Sequence, residues 1–144
     1  MKYILFFLLY FFSSATFPLE NLPPMQADDI KLAVNFFAAL KECQVGKFNT
    51  VFQSTLIEAN ILGYKNKICI VELSREDKNR ILIKKRCEFP PASLELLSDK
   101  AVAITSAFVK KNVQEMLGQA EVSIDNTEDI DIIVKTFNKY CKST

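Results

Sequence analysis

The chain has 144 residues, 49% apolar and 24% charged, with 18 basic and 17 acidic side chains, no His, no Trp, 3 Gly and 4 Cys. That is enough for one small folded domain and too apolar for a disordered chain. Balanced charge leaves no electrostatic footprint for nucleic acid, and the absence of His removes the commonest general base near neutral pH and the commonest metal ligand.

Residues 1–15 read MKYILFFLLYFFSSA. Lys2 is a minimal positive region, Tyr3 to Phe12 is an unbroken apolar run, and Ser13 and Ala15 are small residues at the −3 and −1 positions of a cleavage site. The run is about half of the roughly 20 residues needed to span a bilayer. A secretory signal cleaved between Ala15 and Thr16 is expected, giving a product that is periplasmic or extracellular and not held in a membrane. Loss of Lys2 leaves basic and acidic residues equal in number.

Residues 16–27 carry three prolines and read as an extended leader before a single domain over 28–144. Asp28 and Asp29 suit an N-cap and first helical turn, and Ile30, Ala33, Val34, Phe37 and Leu40 follow at helical spacing. A first helix is predicted over 28–43, with Gly46 just past its end and Cys43 on its apolar side. The period then changes to two. Val51, Gln53, Thr55, Ile57, Ala59 and Ile61 fall on one face of a strand. A loop is expected at Tyr64-Lys65-Asn66, with Gly63 and Asn66 able to take unusual backbone angles. A second strand runs from Ile68 to Leu73, a polar turn from Arg75 to Arg80, and a third strand from Ile81 to Phe89.

Pro90-Pro91 stops the sheet. Leu94, Leu97, Ala101, Ile104 and Phe108 then mark a helix that can continue to Met116, Leu117 and Gly118. The stretch 119–126 reads as a linker. Thr127 can cap a last helix whose apolar stripe is Ile130, Ile133, Val134, Phe137 and Cys141. The predicted fold is α+β: an N-terminal helix, a three-stranded antiparallel meander, and two C-terminal helices packed on one face.

Four cysteines in an exported chain point to two disulfides. With the polar turn centred on Lys78, Cys69 stands opposite Cys87, at a separation a disulfide can bridge. The pairing Cys69–Cys87 is predicted on that register, and Cys43–Cys141 by elimination. No C-x-x-C or paired zinc-ligand spacing occurs, so neither a metal nor another cofactor is expected.

Other side chains have plain surface or core roles. Glu58, Glu72, Glu76, Asp77 and Glu88 could in principle pair as glycosidase carboxylates, but on strands and a turn they read as solvated surface. The Lys84-Lys85-Arg86 run and Lys110-Lys111 read as solubilising charge. Phe36, Phe37, Phe48, Phe52, Phe89, Phe108 and Phe137 read as core, and any left over from it, such as Phe52 or Tyr64, could anchor a partner. No catalytic residues are predicted, and phosphate loops and Ser-His-Asp arrangements are absent from the sequence.

A helix followed by an antiparallel meander resembles the opening of the cystatin fold, over residues 28–89. Cystatins carry a Q-x-V-x-G loop that wedges into cysteine proteases. Gln44-Val45-Gly46 stands here without the two spacers and at a helix end. Three functions follow as expectations: an exported, non-enzymatic protein that binds another protein; a secreted protease inhibitor using loop 63–67 or 75–80; and a carrier of a small apolar ligand. A carrier should show a closed apolar cavity, an inhibitor a rigid exposed loop, and an interaction protein an exposed apolar patch.

Overall fold

A computed structural model describes residues 27–52, 54–78, 82–118 and 127–144. The signal segment with its Ala15–Thr16 junction, the leader up to residue 26, the predicted strand start at Ile81 and the 119–126 linker lie outside the described residues. The described elements, in chain order, are α1 (Ala27–Lys41), β1 (Gly46–Phe52), β2 (Thr55–Lys65), β3 (Ile68–Glu76), β4 (Leu82–Phe89), α2 (Pro91–Met116), α3 (Thr127–Tyr140) and β5 (Cys141–Ser143). The fold is α+β, as expected. The strands form one antiparallel sheet in the order β1-β2-β3-β4-β5, five strands where three were expected.

Two strands come from one predicted segment. The stretch read as a single strand through Ile61 doubles back between Phe52 and Thr55, which pair with each other, and Ser54 takes a left-handed φ of 67°. Ile57, Ala59 and Ile61 do share the buried face. Val51 does not. It pairs with Leu56 rather than falling in step with Ile57, and is 68% exposed. A period of two says which residues share a face but not where the strand reverses. The fifth strand was missed because Cys141 prolongs the helical stripe of Ile133 and Phe137, and three residues carry no alternation of their own.

The hairpin between β2 and β3 also turns later than expected. The strand runs through Tyr64 and Lys65, and the reversal is the two-residue turn Asn66-Lys67, both with positive φ (52° and 64°). That is the backbone a type I′ hairpin requires. Gly63, at φ 95°, belongs instead to a β-bulge, where the register shifts between Ile61 and Gly63. A Cβ added at Gly63 would lie 3.1 Å from Val45 Cγ2. Gly63→Ala combines that close approach with a left-handed backbone, so it is expected to lower stability by about 1–2 kcal/mol, measurable by denaturant titration.

α1 begins one residue earlier than predicted and ends at Lys41, not at residue 43. Gly46 opens β1, and Cys43 takes the left-handed position after the helix, at φ 48°. The Cys43 N–H donates to Leu40 O and the Gln44 N–H to Ala39 O, satisfying carbonyls of the last turn. α2 opens on Pro91, whose missing N–H costs nothing there.

All three described helices pack on one face of the sheet, α2 between α1 and α3. The core joins Phe36, Phe37 and Leu40 of α1, Leu94 and Leu97 of α2, and Ile133 and Phe137 of α3 to Ala59, Ile61, Val71, Leu73 and Phe89 of the sheet. Phe36 meets Phe48 edge-on at 5.4 Å, and Phe89 meets Phe137 at 5.2 Å. Lys100 on α2 and Asp129 on α3 form an ion pair at 3.0 Å. In the middle of β4, Lys85 shares the helix-facing side with Leu73, and partial burial lowers its ammonium pKa.

The disulfides are Cys43–Cys69 and Cys87–Cys141. The predicted pairing, Cys69–Cys87 with Cys43–Cys141, is therefore corrected. Cys69 pairs across the sheet with Phe89, and Cys87 with Val71, a register two residues from the predicted one. A slip of two keeps every side chain on its face, so the apolar pattern cannot detect it. β3 also runs on to Glu76, beyond the predicted Leu73, which moves the reversal along the chain. Cys87 then stands directly opposite Cys141 of β5, and Cys69 meets Cys43 beyond the end of α1.

Candidate functional site: the groove between α1 and α2

Cys43, just past α1, is bonded to Cys69, and Cys69 pairs with Phe89, two residues before α2 begins. The end of α1 and the start of α2 are thereby held together, and the two helices run antiparallel. Their outer flanks leave a groove of about 480 Å³, open along one side. Val34, Phe37 and Ala38 line it from α1, and Ala101, Val102 and Thr105 from α2. Small side chains at i, i+4 spacing hollow out the space between the helices.

One end of the groove is polar. Lys41, Glu42 and Ser98 lie there. Ser98 is 93% buried by its 7% residual exposure, and its hydroxyl has no hydrogen-bond partner among the described residues. The other buried hydroxyls are satisfied: Ser93 donates to Pro90 O (2.7 Å) and Thr136 to Ile132 O (2.7 Å). Thr105, also in the groove, donates to Ala101 O at 2.9 Å.

The groove continues as an apolar stripe along α2. Val102, Val109, Val113 and Met116 follow at steps of seven, four and three, on one side of the helix, and are 50–86% exposed. Sequence periodicity found the buried stripe of α2 and missed this one. The signal was present in the Val spacing, but these residues are spread among polar neighbours and read as incidental.

The residues singled out from the sequence do not converge. Glu58 is ion-paired with Lys47 at 2.8 Å, and Glu72 and Glu88 both lie 3.6 Å from Arg86. These carboxylates stand on the open face of the sheet, Glu58 and Glu72 facing a cation on the adjacent strand and Glu88 one on its own strand, rather than around a cleft. Lys84 and Arg86 point away from the helices and Lys85 toward them, so the basic run forms no single patch. Among the described residues, no group of three or more His, Cys, Asp or Glu is placed to hold a metal ion. Tyr64 is 53% exposed and Val45 is 72% exposed, and both lie beside the Cys43–Cys69 disulfide at one end of the sheet. Phe52 lies in β1 opposite Thr55 and Phe108 in α2.

Among the described residues no helix is long and apolar enough to cross a membrane, and two disulfides are compatible with an oxidising, exported location. Comparison with known protein families, with curated proteins and with solved structures gives no match.

Proposed function

We propose that this is an exported protein, periplasmic or extracellular, that works by binding another protein and performs no chemistry of its own. The observation that supports this reading most directly is the α1/α2 groove running into the exposed valine stripe of α2. An exposed apolar stripe leading out of a groove is the kind of surface that suits an interaction site. A chain without His also lacks the usual proton-transfer group for hydrolysis at neutral pH. The groove is open along one side, which fits a macromolecular partner better than an enclosed small ligand.

The test is affinity purification of the protein from its native envelope and medium, with Val102→Asp run in parallel. Val102 is 62% exposed, so the aspartate is solvated and the fold is retained. The recovered protein should begin at Thr16 by intact mass. A specific partner should co-purify, with recovery at least tenfold lower for Val102→Asp. The same partners in the same amounts for both proteins would refute the groove, and full-length chain retained in the membrane would refute export.

The protease-inhibitor reading has one specific observation in its favour. Val45 packs across Gly63, and the Cys43–Cys69 disulfide ties that segment to the Asn66-Lys67 hairpin, making a preorganised exposed end. Under that reading Val45→Asp, and not Val102→Asp, would abolish binding.

A further inference from the structure

The stripe on α2 begins before its valines. Glu95 lies seven residues ahead of Val102, on the same side of the helix, and Asp99 is one turn on. Both are exposed, as is Glu42 at the same end of the groove, and none of the three has an ion-pair partner among the described residues. Lys41 and Glu42 line the groove there and balance each other, Lys100 is paired with Asp129, and Glu95 and Asp99 on the adjoining turns of α2 add two carboxylates beside that end. The groove therefore has direction in charge: carboxylates and a buried Ser98 hydroxyl with no partner among the described residues stand at one end, and the uncharged Ala33, Val34, Thr105 and Ser106 line the other.

The occupant has to match that direction. The groove walls are helices whose backbone N–H and C=O groups are already used within each helix, so an extended strand would find no ladder to join. Small residues at Ala38, Ala101 and Ser98 let a third helix approach to the ordinary 8–10 Å between helix axes. Val102, Val109, Val113 and Met116 stand at steps of seven, four and three, so they share one side of α2 along which the apolar face of a second helix can lie. The acidic end disfavours a fatty acid or an anionic headgroup and favours a cation.

Resting on the groove as the binding surface, we propose that its occupant is an amphipathic helix of a partner protein, with its apolar face on Val34, Ala38, Val102 and Val109 and a Lys or Arg at one end over Glu95 and Asp99. The Ser98 oxygen accepts a hydrogen bond from that cation's N–H. The burial that leaves Ser98 without a partner among the described residues then becomes part of recognition.

Two labelled 18-residue synthetic helices test this by fluorescence anisotropy on the exported, disulfide-intact protein. They share one Leu/Ala apolar face, and one carries three Lys at its C-terminal end where the other carries three Glu. The Lys peptide should bind at least tenfold more tightly than the Glu peptide. Val102→Asp should weaken it at least tenfold, as should Val109→Glu, a second exposed site included in case one variant is poorly folded. The double variant Glu95→Lys/Asp99→Lys should reverse the preference. Equal binding of both peptides that is still lost in Val102→Asp would overturn the basic-ended helix while leaving the groove as a binding surface. Binding of neither peptide, or binding that Val102→Asp leaves unchanged, would overturn the helix proposal, and the native-partner comparison then decides the groove separately. A dimer in sedimentation that Val102→Asp dissolves would make the occupant a second copy and overturn the partner helix.

Discussion

Removing the Cys87–Cys141 disulfide, as the double alanine variant, is expected to lower stability by about 4 kcal/mol, or very roughly 12 °C in Tm for a chain of this size. The bridge closes a separation of 54 residues that contains all of α2 and α3, and it fastens the edge strand β5, which is only three residues long. Arg86 opposite Lys142, Lys85 opposite Ser143 and the Thr144 N–H donated to Lys84 O are the other backbone ties of that strand to β4. The Cys43–Cys69 bridge closes a separation of 26 residues, and its loss is expected to cost somewhat less, about 3.5 kcal/mol in the same chain-entropy treatment. All four half-cystines are buried, so alanine is used in place of serine, whose hydroxyl would be stranded in the core. Thermal denaturation of the two double variants measures the order, and non-reducing peptide mapping of the native protein should yield Cys43–Cys69 and Cys87–Cys141 peptides. A major Cys69–Cys87 species would contradict the strand register as well as the pairing.

Phe89→Ala is expected to cost about 3–5 kcal/mol. Phe89 has no solvent exposure, its ring meets Phe137 at 5.2 Å and Tyr140 at 6.0 Å, and it stands opposite Cys69 in the sheet. Its ring contacts join β4 to α3, and β5 follows α3 directly with Cys141 opposite Cys87. The cavity left by alanine would be lined by those two rings. Equilibrium denaturation gives the loss, and amide hydrogen exchange should show it concentrated in α3 and β5. A loss below about 1 kcal/mol would mean the aromatic contacts are replaced by repacking.

Much of this architecture was legible in residue order. α2 and α3 follow from apolar residues at steps of three and four, Pro91 at the start of one and acidic residues in the first turn of the other. Val71 with Leu73, and Ile57 with Ala59 and Ile61, were placed on the buried face correctly because alternation reports on faces directly. Four cysteines and no spare thiol implied two bridges, and two are present. These are properties of short stretches, each set by the local period or by counting.

What tertiary structure alone decided depends on distances between segments. The hairpin register could slip by two without moving any side chain to the wrong face, so the residue opposite Cys87 was undetermined until β4 was laid against both β3 and β5. β5 exists because the chain leaving α3 meets the free edge of β4, not because Cys-Lys-Ser favours a strand. The groove has the same origin. Ala38, Ser98 and Val102 are unremarkable in their own helices, and they become a surface because the Cys43–Cys69 bridge and the Cys69–Phe89 pairing start α2 beside the end of α1. Local pattern settled which side of each element is apolar, and long-range pairing settled which apolar sides were left uncovered.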